Sequence, residues 1–277
     1  MNTIRMKRLM IEVIAVTLAL ALFGVPFYFV VVNSGKDAAA AARMTLSFPE
    51  TTQYLDNFRQ VITASNSMLI RAFFNSTVIS ASTIIVLIVI GSSAGFVLGR
   101  RKGKTVNIIS FLILAGLMVP PAIVPTIWLL RTLGLYKSLL GLILVESAIM
   151  FPFTLLLYRG YVTTIPRELD EASLIDGTGP VKMFSLIIFP LLKPVSVTVT
   201  IINAITIFND FVNPLYFLPG AKNATVQLTL YNFMSTFSTK WNLLYADVLI
   251  ISIPPLIFFI LFNSKIVSGM VAGAVKG

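Results

Sequence analysis

The sequence has neither cysteine nor histidine among its 277 residues. Disulfides are therefore excluded, and cysteine content gives no information about the redox compartment. Zinc sites with cysteine or histidine ligands and catalytic pairs of the Ser-His or Cys-His type are excluded as well. No other pairing of a nucleophile with a base is visible, so the sequence does not favour an enzyme, including one that acts within a membrane.

Charged residues are also scarce: they make up 12% of the chain, whereas a soluble globular domain has about 25%. Hydrophobic residues make up 57%, and the mean hydropathy is +0.91. Apolar stretches close to the roughly 20 residues that cross a bilayer recur along the chain. We therefore predict an all-α membrane protein. The net charge of +10 is assigned to cytoplasmic loops, where Lys and Arg collect, rather than to nucleic acid binding.

The apolar stretches predict about six transmembrane helices. Their predicted bounds are residues 9–32, 75–98, 106–130, 138–158, 187–212 and 246–262. The first stretch is too long for the apolar core of a signal peptide, which favours an uncleaved anchor. Basic residues precede the first stretch and follow the second, so the N- and C-termini are both predicted to be cytoplasmic. The polar segment 33–71 is predicted to be an extracytoplasmic loop with short helices.

Prolines interrupt two of the predicted spans. The third contains Pro120, Pro121 and Pro125, and the sixth contains Pro254 and Pro255. Because proline removes a helix hydrogen bond, the third span is predicted to be kinked or to contain an unwound turn. We expect these positions to make the helix bundle bendable.

A segment at residues 166–186, called the acidic loop below, breaks the apolar pattern. It contains four acids, Glu168, Asp170, Glu171 and Asp176. Its pattern predicts two short helices: one begins at Pro166 and ends at Gly177, and the other is capped by Thr178 with Pro180 in its first turn. Interfacial helices usually carry Lys and Arg toward lipid. The acids therefore favour a cytoplasmic docking site for a basic protein surface over a helix that lies on the bilayer.

The acidic loop resembles the EAA loop of the integral membrane subunits of bacterial ABC importers. That pattern is Glu-Ala-Ala, three residues, Gly, nine residues, Ile, one residue, then Leu-Pro. Glu171 and Ala172 match it, Ser173 replaces the second alanine, and Gly177 is in register. Ile187 and Pro190 also match, with Phe189 in place of leucine. The residues of this loop assigned to ATPase coupling are Glu171, Ala172, Ser173, Asp176 and Gly177.

The resemblance extends over nearly the whole chain to the maltose-type sugar permeases. It includes FFNSTVIS before the second span, the PP-x-x-x-P region, LGLYKSLLGLIL, FNDF at residues 208–211 and the terminal AGAVKG. It implies a type I ABC importer permease fold in a bacterial cell membrane. It also implies three partners: a cytoplasmic ATPase dimer, an extracytoplasmic substrate-binding protein and a second, related but different permease chain. The cargo implied is a sugar, oligosaccharide or related polyol.

The chain is expected to bind no cofactor itself. GRRKGKT at residues 99–105 has only three residues between Gly99 and Gly103, whereas a P-loop needs four. ATP and Mg²⁺ are therefore expected on the partner ATPase. An ion-coupled secondary transporter that works without an ATPase is the alternative, and the register of the EAA-like loop speaks against it.

Polar residues within the predicted spans are the remaining candidates. An acid at a helix centre costs about 2.5–3.5 kcal/mol on insertion scales, so Glu146 is expected either to line the substrate path or to serve as a structural partner. Asp210 is expected near the outer end of the fifth span, beside Asn209. Asn203 can bind a hydroxyl-rich substrate or a neighbouring helix. These four residues are the candidate substrate path.

Three regions are predicted along the chain. Residues 1–69 form an anchor helix and an extracytoplasmic segment, and residues 70–264 form the transmembrane domain of the ABC importer type. Residues 265–277 form a cytoplasmic tail. Membrane lipid is a further expected contact, and nucleic acid is not.

Overall fold

A computed structural model describes residues 3–234 and 239–274 of the chain. The helices are α1 Thr3–Ala19, α2 Val25–Ser34, α3 Ala38–Ala42, α4 Tyr54–Arg100, α5 Lys104–Ala115, α6 Ile123–Thr132, α7 Leu139–Val162, α8 Glu168–Ile175, α9 Pro180–Met183, α10 Phe189–Leu191, α11 Lys193–Phe208, α12 Val212–Phe217 and α13 Trp241–Ala274. Apart from one isolated bridge between Met234 and Thr239, these described residues contain no β-structure.

The long apolar helices agree with the predicted spans. Four segments are long and apolar enough to cross a membrane: Leu9–Ser34, Tyr54–Arg100, Leu139–Val162 and Trp241–Phe262. A fifth is obtained if the bent pair Pro180–Leu191 and Lys193–Phe208 counts as one span. These segments contain or overlap five of the six predicted stretches, and they confirm the prediction of an all-α membrane protein.

The third predicted span is divided into two shorter apolar helices, α5 and α6. Pro120 and Pro121 lie in the non-helical segment between them, and Pro125 lies in the first turn of α6. Proline is tolerated in a first turn because its missing N–H has no helical acceptor there. The unwound turn predicted from the prolines is therefore confirmed.

The fifth predicted span, residues 187–212, is shorter than expected. The chain bends by 71° between Pro180–Leu191 and Lys193–Phe208, with Leu192 at the break. Pro194 fixes the start of α11, because a proline is accommodated at the beginning of a helix but not in its interior. The continuous helix ends at Phe208, so Asp210 lies just beyond it.

The polar segment 33–71 is more helical than predicted. It contains α3, and α4 already begins at Tyr54 and is interrupted at Ala64–Ser67 by non-helical backbone. The early turns form because Asn57 and Val61, one helical turn apart, are both buried. Asn57 Nδ2 donates to the backbone oxygens of Ser34 and Lys36 at 2.8 and 2.9 Å.

Lys36 lies two residues beyond the first span and is only 2% exposed. Its ammonium donates to Asn33 Oδ1 at 3.0 Å, to the Thr45 carbonyl at 2.8 Å and to Thr45 Oγ1 at 3.0 Å. All three acceptors are neutral, so they satisfy the donors without balancing the charge. Burial therefore lowers the pKa of the Lys36 ammonium from its ordinary value of 10.5.

The chain divides into two compact units. One consists of Met1–Ile70 and Thr229–Pro254, and the other of Arg71–Leu228 and Pro255–Gly277. The acidic loop and the helices that lead into and out of it belong to the second unit. The predicted tail from residue 265 is continuous with α13 as far as Ala274. The division at residues 69 and 264 stays a prediction.

Candidate functional site

The acidic loop begins with α8. Glu168, Asp170 and Glu171 all lie in its first turn, where the positive end of the helix dipole favours carboxylates. The helix begins at Glu168 rather than at Pro166, which corrects the predicted start. The carbonyls of Ile165 and Pro166 accept hydrogen bonds from Arg100 at 2.9 and 3.3 Å, and the first carbonyl that accepts from the N–H groups of α8 is that of Arg167.

The turn after α8 is a Schellman motif centred on Gly177. Gly177 has a φ of +72° and donates its N–H to the Leu174 carbonyl at 3.1 Å. The N–H of Thr178 donates to the Ser173 carbonyl, also at 3.1 Å. These two bonds satisfy carbonyls that a helix end leaves free. Glycine is favoured at this φ because it has no Cβ, as the sequence predicted.

Thr178 does not cap the second helix, contrary to the prediction. Gly179 is the residue before Pro180, and it makes no side-chain cap. The Thr178 hydroxyl turns back instead, donating to the Ser173 carbonyl at 2.6 Å and contacting the Ser173 hydroxyl. This back-bonding is local and competes with capping. Ser173 is buried, whereas Glu171, Ala172, Asp176 and Gly177 are exposed.

The loop presents apolar side chains that the sequence interpretation overlooked. Ile175 is 86% exposed, Val181 is 82% exposed and Leu174 is also exposed. Beneath them, Met183 and Ile188 are buried against Tyr158, Val162 and Ile165. The base of the loop is therefore anchored to α7, while its tip exposes both apolar groups and acids.

Arg100, the last residue of α4, contacts the acidic loop most closely. Its Nε lies 2.7 Å from Asp170 Oδ2, and its Nη2 donates to Asp170 Oδ1 at 3.2 Å. Arg167 Nη2 donates in return to the Arg100 carbonyl at 3.3 Å. The sequence interpretation had placed Arg100 among basic residues that only mark the cytoplasmic side. No local pattern reveals its partner, which lies 70 residues further along the chain.

Glycines bring α4 and α7 into close contact. A Cβ on Gly91 would lie 2.7 Å from Thr154 Cγ2, and one on Gly95 would lie 2.5 Å from Tyr158 Cβ. On Gly99 it would lie 2.9 Å from Val162 Cγ1. Small residues four apart allow this approach in membrane helices. The repeat of glycine at every fourth position was a readable signal that the sequence interpretation missed.

The structure brings Glu146 and Asp210 together. Glu146 is 1% exposed, and its carboxyl group lies near that of Asp210. Asn213, which the sequence interpretation missed, donates from Nδ2 to Glu146 Oε1 at 3.1 Å. Asp210 Oδ1 accepts from the backbone N–H groups of Val212 and Asn213 at 2.9 and 3.4 Å and so satisfies two donors that the start of α12 leaves free.

The other two path candidates lie apart from that pair. Asn203 is buried, and its Nδ2 donates to the Val199 carbonyl of its own helix at 2.8 Å and to Thr154 Oγ1 at 3.4 Å. Asn209 is exposed, and its Oδ1 accepts from Gln227 Nε2 at 3.3 Å. The assignment of all four residues to a substrate path stays a prediction.

A further acid within a span was also missed. Asp247 lies in α13, is fully buried, and its Oδ2 accepts from Thr229 Oγ1 at 2.9 Å. An aspartate inside the apolar stretch 246–262 was the available signal. Across the part of the chain that the structure describes, no three His, Cys, Asp or Glu side chains are placed to hold a metal ion.

Comparisons with known proteins agree with this geometry. The melibiose/raffinose/stachyose import permease protein MelC of Bacillus subtilis is 30% identical over 270 residues, which cover 96% of each chain. The probable starch degradation products transport system permease protein AmyC of Thermoanaerobacterium thermosulfurigenes is 31% identical over an alignment of 280 positions that covers the full length of both chains. A crystal structure of a bacterial ABC transporter involved in the import of alginate contains a chain with the same fold, with a TM-score of 0.82 and 17% identity. The match covers 95% of this chain and 98% of that one.

The family model for the binding-protein-dependent transport system inner membrane component matches residues 88–273, which include the acidic loop, α7 and most of α13. The resemblance identified from the acidic loop is thereby confirmed. The chain belongs to the family of inner membrane components of binding-protein-dependent transport systems.

Proposed function

We propose that the chain is the permease subunit of an ATP-driven importer of sugars, oligosaccharides or related polyols, and that the acidic loop docks on a separate cytoplasmic ATPase. The observation that carries the proposal is the form of the loop. It is a capped two-helix structure that joins two apolar helices and exposes acids beside Ile175 and Val181. The permeases named for melibiose, raffinose and stachyose and for starch degradation products support the cargo class.

The exposed tip of the loop fits a protein surface better than lipid. Large exposed apolar side chains on a polar segment favour an interaction site. The three acids in the first turn of α8 favour a basic rim around that site. We propose that Ile175 and Val181 enter an apolar cleft of the ATPase while Glu171 faces one of its basic groups.

Transport then needs further components. An extracytoplasmic binding protein delivers the cargo, and a second permease chain completes the path. ATP and Mg²⁺ are bound and used by the ATPase, so the chain described here acts without its own catalytic site. Closure of the ATPase dimer moves the acidic loop and, with it, the helices on either side. Of the four path candidates, Asn209 and Asp210 are less buried than Glu146 and Asn203 and are proposed to lie nearest the cargo.

The test is co-purification of the ATPase with tagged permease, followed by ATP turnover in lipid. Glu171→Lys reverses a loop charge and is expected to lower both bound ATPase and turnover. Glu50→Lys makes the same reversal at an exposed acid outside the loop and is expected to change neither. Equal behaviour of the two variants would show that the loop does not dock through its acids.

Cargo is tested separately, by uptake of radiolabelled raffinose, stachyose and maltotriose into cells that express the complete system. ATP-dependent uptake of at least one is expected. Uptake driven by an ion gradient in cells depleted of ATP would instead identify a secondary transporter.

A further inference from the structure

Arg100 differs from the other basic residues that follow the second span. Arg101, Lys102 and Lys104 are exposed, as expected for residues that mark one side of a membrane. The Arg100 side chain is 11% exposed, and the Asp170 side chain that it contacts is 16% exposed. A charge pair shielded from water to this degree interacts more strongly than a surface pair does.

The contacts of Arg100 reach two parts of the loop. One guanidinium binds the carboxylate of Asp170 in the first turn of α8 and also the carbonyls of Ile165 and Pro166 before that helix. The planar guanidinium presents several donors in fixed directions, which a lysine ammonium cannot reproduce. The start of α8 is thus tied to the C-terminal end of α4.

We propose that Arg100 is a positioning residue for transport, which makes α8 move as one body with α4 and α7 when the ATPase closes. This inference rests on the proposed function, because it concerns how motion of the docked loop reaches the membrane helices. The loop is joined to α7 through the chain itself. Replacing the Arg100 side chain removes the ion pair between α4 and α8 and leaves the hydrogen bond from Arg167 Nη2 to the Arg100 backbone carbonyl.

Packing next to Arg100 supports a rigid connection. Gly91, Gly95 and Gly99 bring α4 against α7 along two helical turns that end beside Arg100. Phe96 of α4 also packs against Phe184 in the second half of the loop, with ring centroids 5.5 Å apart. Helices α4 and α7 are therefore already in close contact where the loop begins. The acidic loop is covalently continuous with α7, and the Arg100–Asp170 pair connects it to α4 as well.

The competing explanation is that Arg100 contributes only a positive charge on the cytoplasmic side. Arg101→Gln removes the same charge from the neighbouring, exposed residue and is the matched control. Asp170→Asn removes the ion pair while leaving every basic residue in place, so it tests the pair even where Arg100→Gln impairs membrane insertion. Arg100→Asp combined with Asp170→Arg restores opposite charges in reversed order.

The experiment uses the complete complex in lipid nanodiscs, with spin labels at exposed Val97 on α4 and exposed Leu169 on α8. Distances between the labels are measured without nucleotide and after trapping with ATP and vanadate. Transport per ATP hydrolysed is measured in proteoliposomes with raffinose, stachyose and maltotriose. For the chain with the native Arg100–Asp170 pair and for the Arg101→Gln variant, one narrow distance distribution is expected both without nucleotide and in the vanadate-trapped state.

Arg100→Gln and Asp170→Asn are expected to broaden that distribution in the trapped state and to lower transport per ATP by about tenfold. The reversed pair is expected to recover part of both. The inference is overturned if Arg100→Gln and Asp170→Asn keep the narrow distribution and normal coupling in a complex that holds its ATPase. A wild-type chain that binds no ATPase would instead refute the proposed function, so the two failures are distinguishable.

Discussion

Asn213 Nδ2 donates a hydrogen bond to Glu146 Oε1 over 3.1 Å, joining the short helix α12 to the interior of α7 across 67 positions of the sequence. Glu146 thereby contacts the segment that follows the fifth span, and whether it also lines a substrate path stays a prediction. Its side chain is 1% exposed.

Two replacements of Glu146 distinguish a requirement for a polar side chain from a requirement for its charge. Glu146→Gln keeps an oxygen for Asn213 and offers an amide donor to Asp210, so near-normal thermal stability in detergent is expected. Glu146→Leu removes the acceptor of the Asn213 amide, and a buried donor left unsatisfied typically costs about 1–3 kcal/mol. The thermal midpoint and cargo uptake are the measurements. Normal stability and uptake in the leucine variant would remove Glu146 from both of its candidate roles.

The glycine contact between α4 and α7 is tested by comparing two glycines. Gly95→Ala places a methyl group 2.5 Å from Tyr158 Cβ and 3.1 Å from the backbone nitrogen of Arg159. Overpacking of this kind costs about 1–3 kcal/mol. Gly160→Ala in α7 meets no atom within 4 Å and is the control. A lower thermal midpoint is expected for Gly95→Ala alone. Equal thermal midpoints for Gly95→Ala and Gly160→Ala would show that α4 and α7 can move apart without loss of stability.

The turn at Gly177 depends on backbone conformation rather than on space. A Cβ there meets nothing within 4 Å, but the φ of +72° disfavours side chains. Gly177→Val is expected to lower ATPase binding, whereas Gly177→Asn is expected to retain most of it because asparagine tolerates this region. Gly179→Val, with an ordinary φ of −72°, is the control. ATPase co-purification distinguishes them, and equal loss in all three variants would contradict the turn's role.

Burial of Lys36 predicts a pH dependence of stability. The folded chain holds the ammonium with a lowered pKa, so the unfolded chain binds more protons between that value and 10.5. The free energy of unfolding is therefore expected to rise as the pH increases through this window. Lys36→Met is expected to flatten the rise in thermal midpoint measured in detergent. An unchanged slope in that variant would assign the pH dependence to other groups.

The sidedness of the chain is tested with single cysteines, which the absence of native cysteine makes unambiguous. Cysteines at Lys102 and Asp176 are expected to be shielded from an impermeant thiol reagent in intact cells. A cysteine at Lys222 is expected to react. All three positions are exposed on the chain, so shielding reports the membrane rather than burial. Labelling at Asp176 from outside would overturn the docking of the acidic loop on a cytoplasmic ATPase.

Local sequence was enough to predict the features that depend on neighbouring residues. Apolar runs predicted most of the membrane spans, the prolines predicted the break between α5 and α6, and Gly177 predicted the turn of the acidic loop. The bend at Leu192 was also locally encoded, because Pro190 and Pro194 flank it. The sequence interpretation nevertheless extended one helix across this bend, since hydropathy continues through it without a change.

The features that escaped prediction depend on residues far apart in the chain. Neither Arg100 with Asp170 nor Glu146 with Asn213 follows any short spacing, and only packing of the helices brings each pair together. Thr178 was assigned to the wrong helix because a hydroxyl in a turn can serve the helix before it or the one after it. In the structure the Thr178 hydroxyl donates to the carbonyl of the buried Ser173, in the helix before the turn.

The close contact of α4 with α7 also restricts how the chain can change in length during evolution. Gly91, Gly95 and Gly99 meet Thr154, Tyr158 and Val162 at one constant separation in the sequence, so the two helices run in the same direction and in fixed register. One residue inserted into either helix between these contacts and the acidic loop would rotate its end by about 100°. Arg100 would then point away from Asp170. Relatives that retain this pair are expected to carry insertions and deletions outside the stretches 91–100 and 154–170.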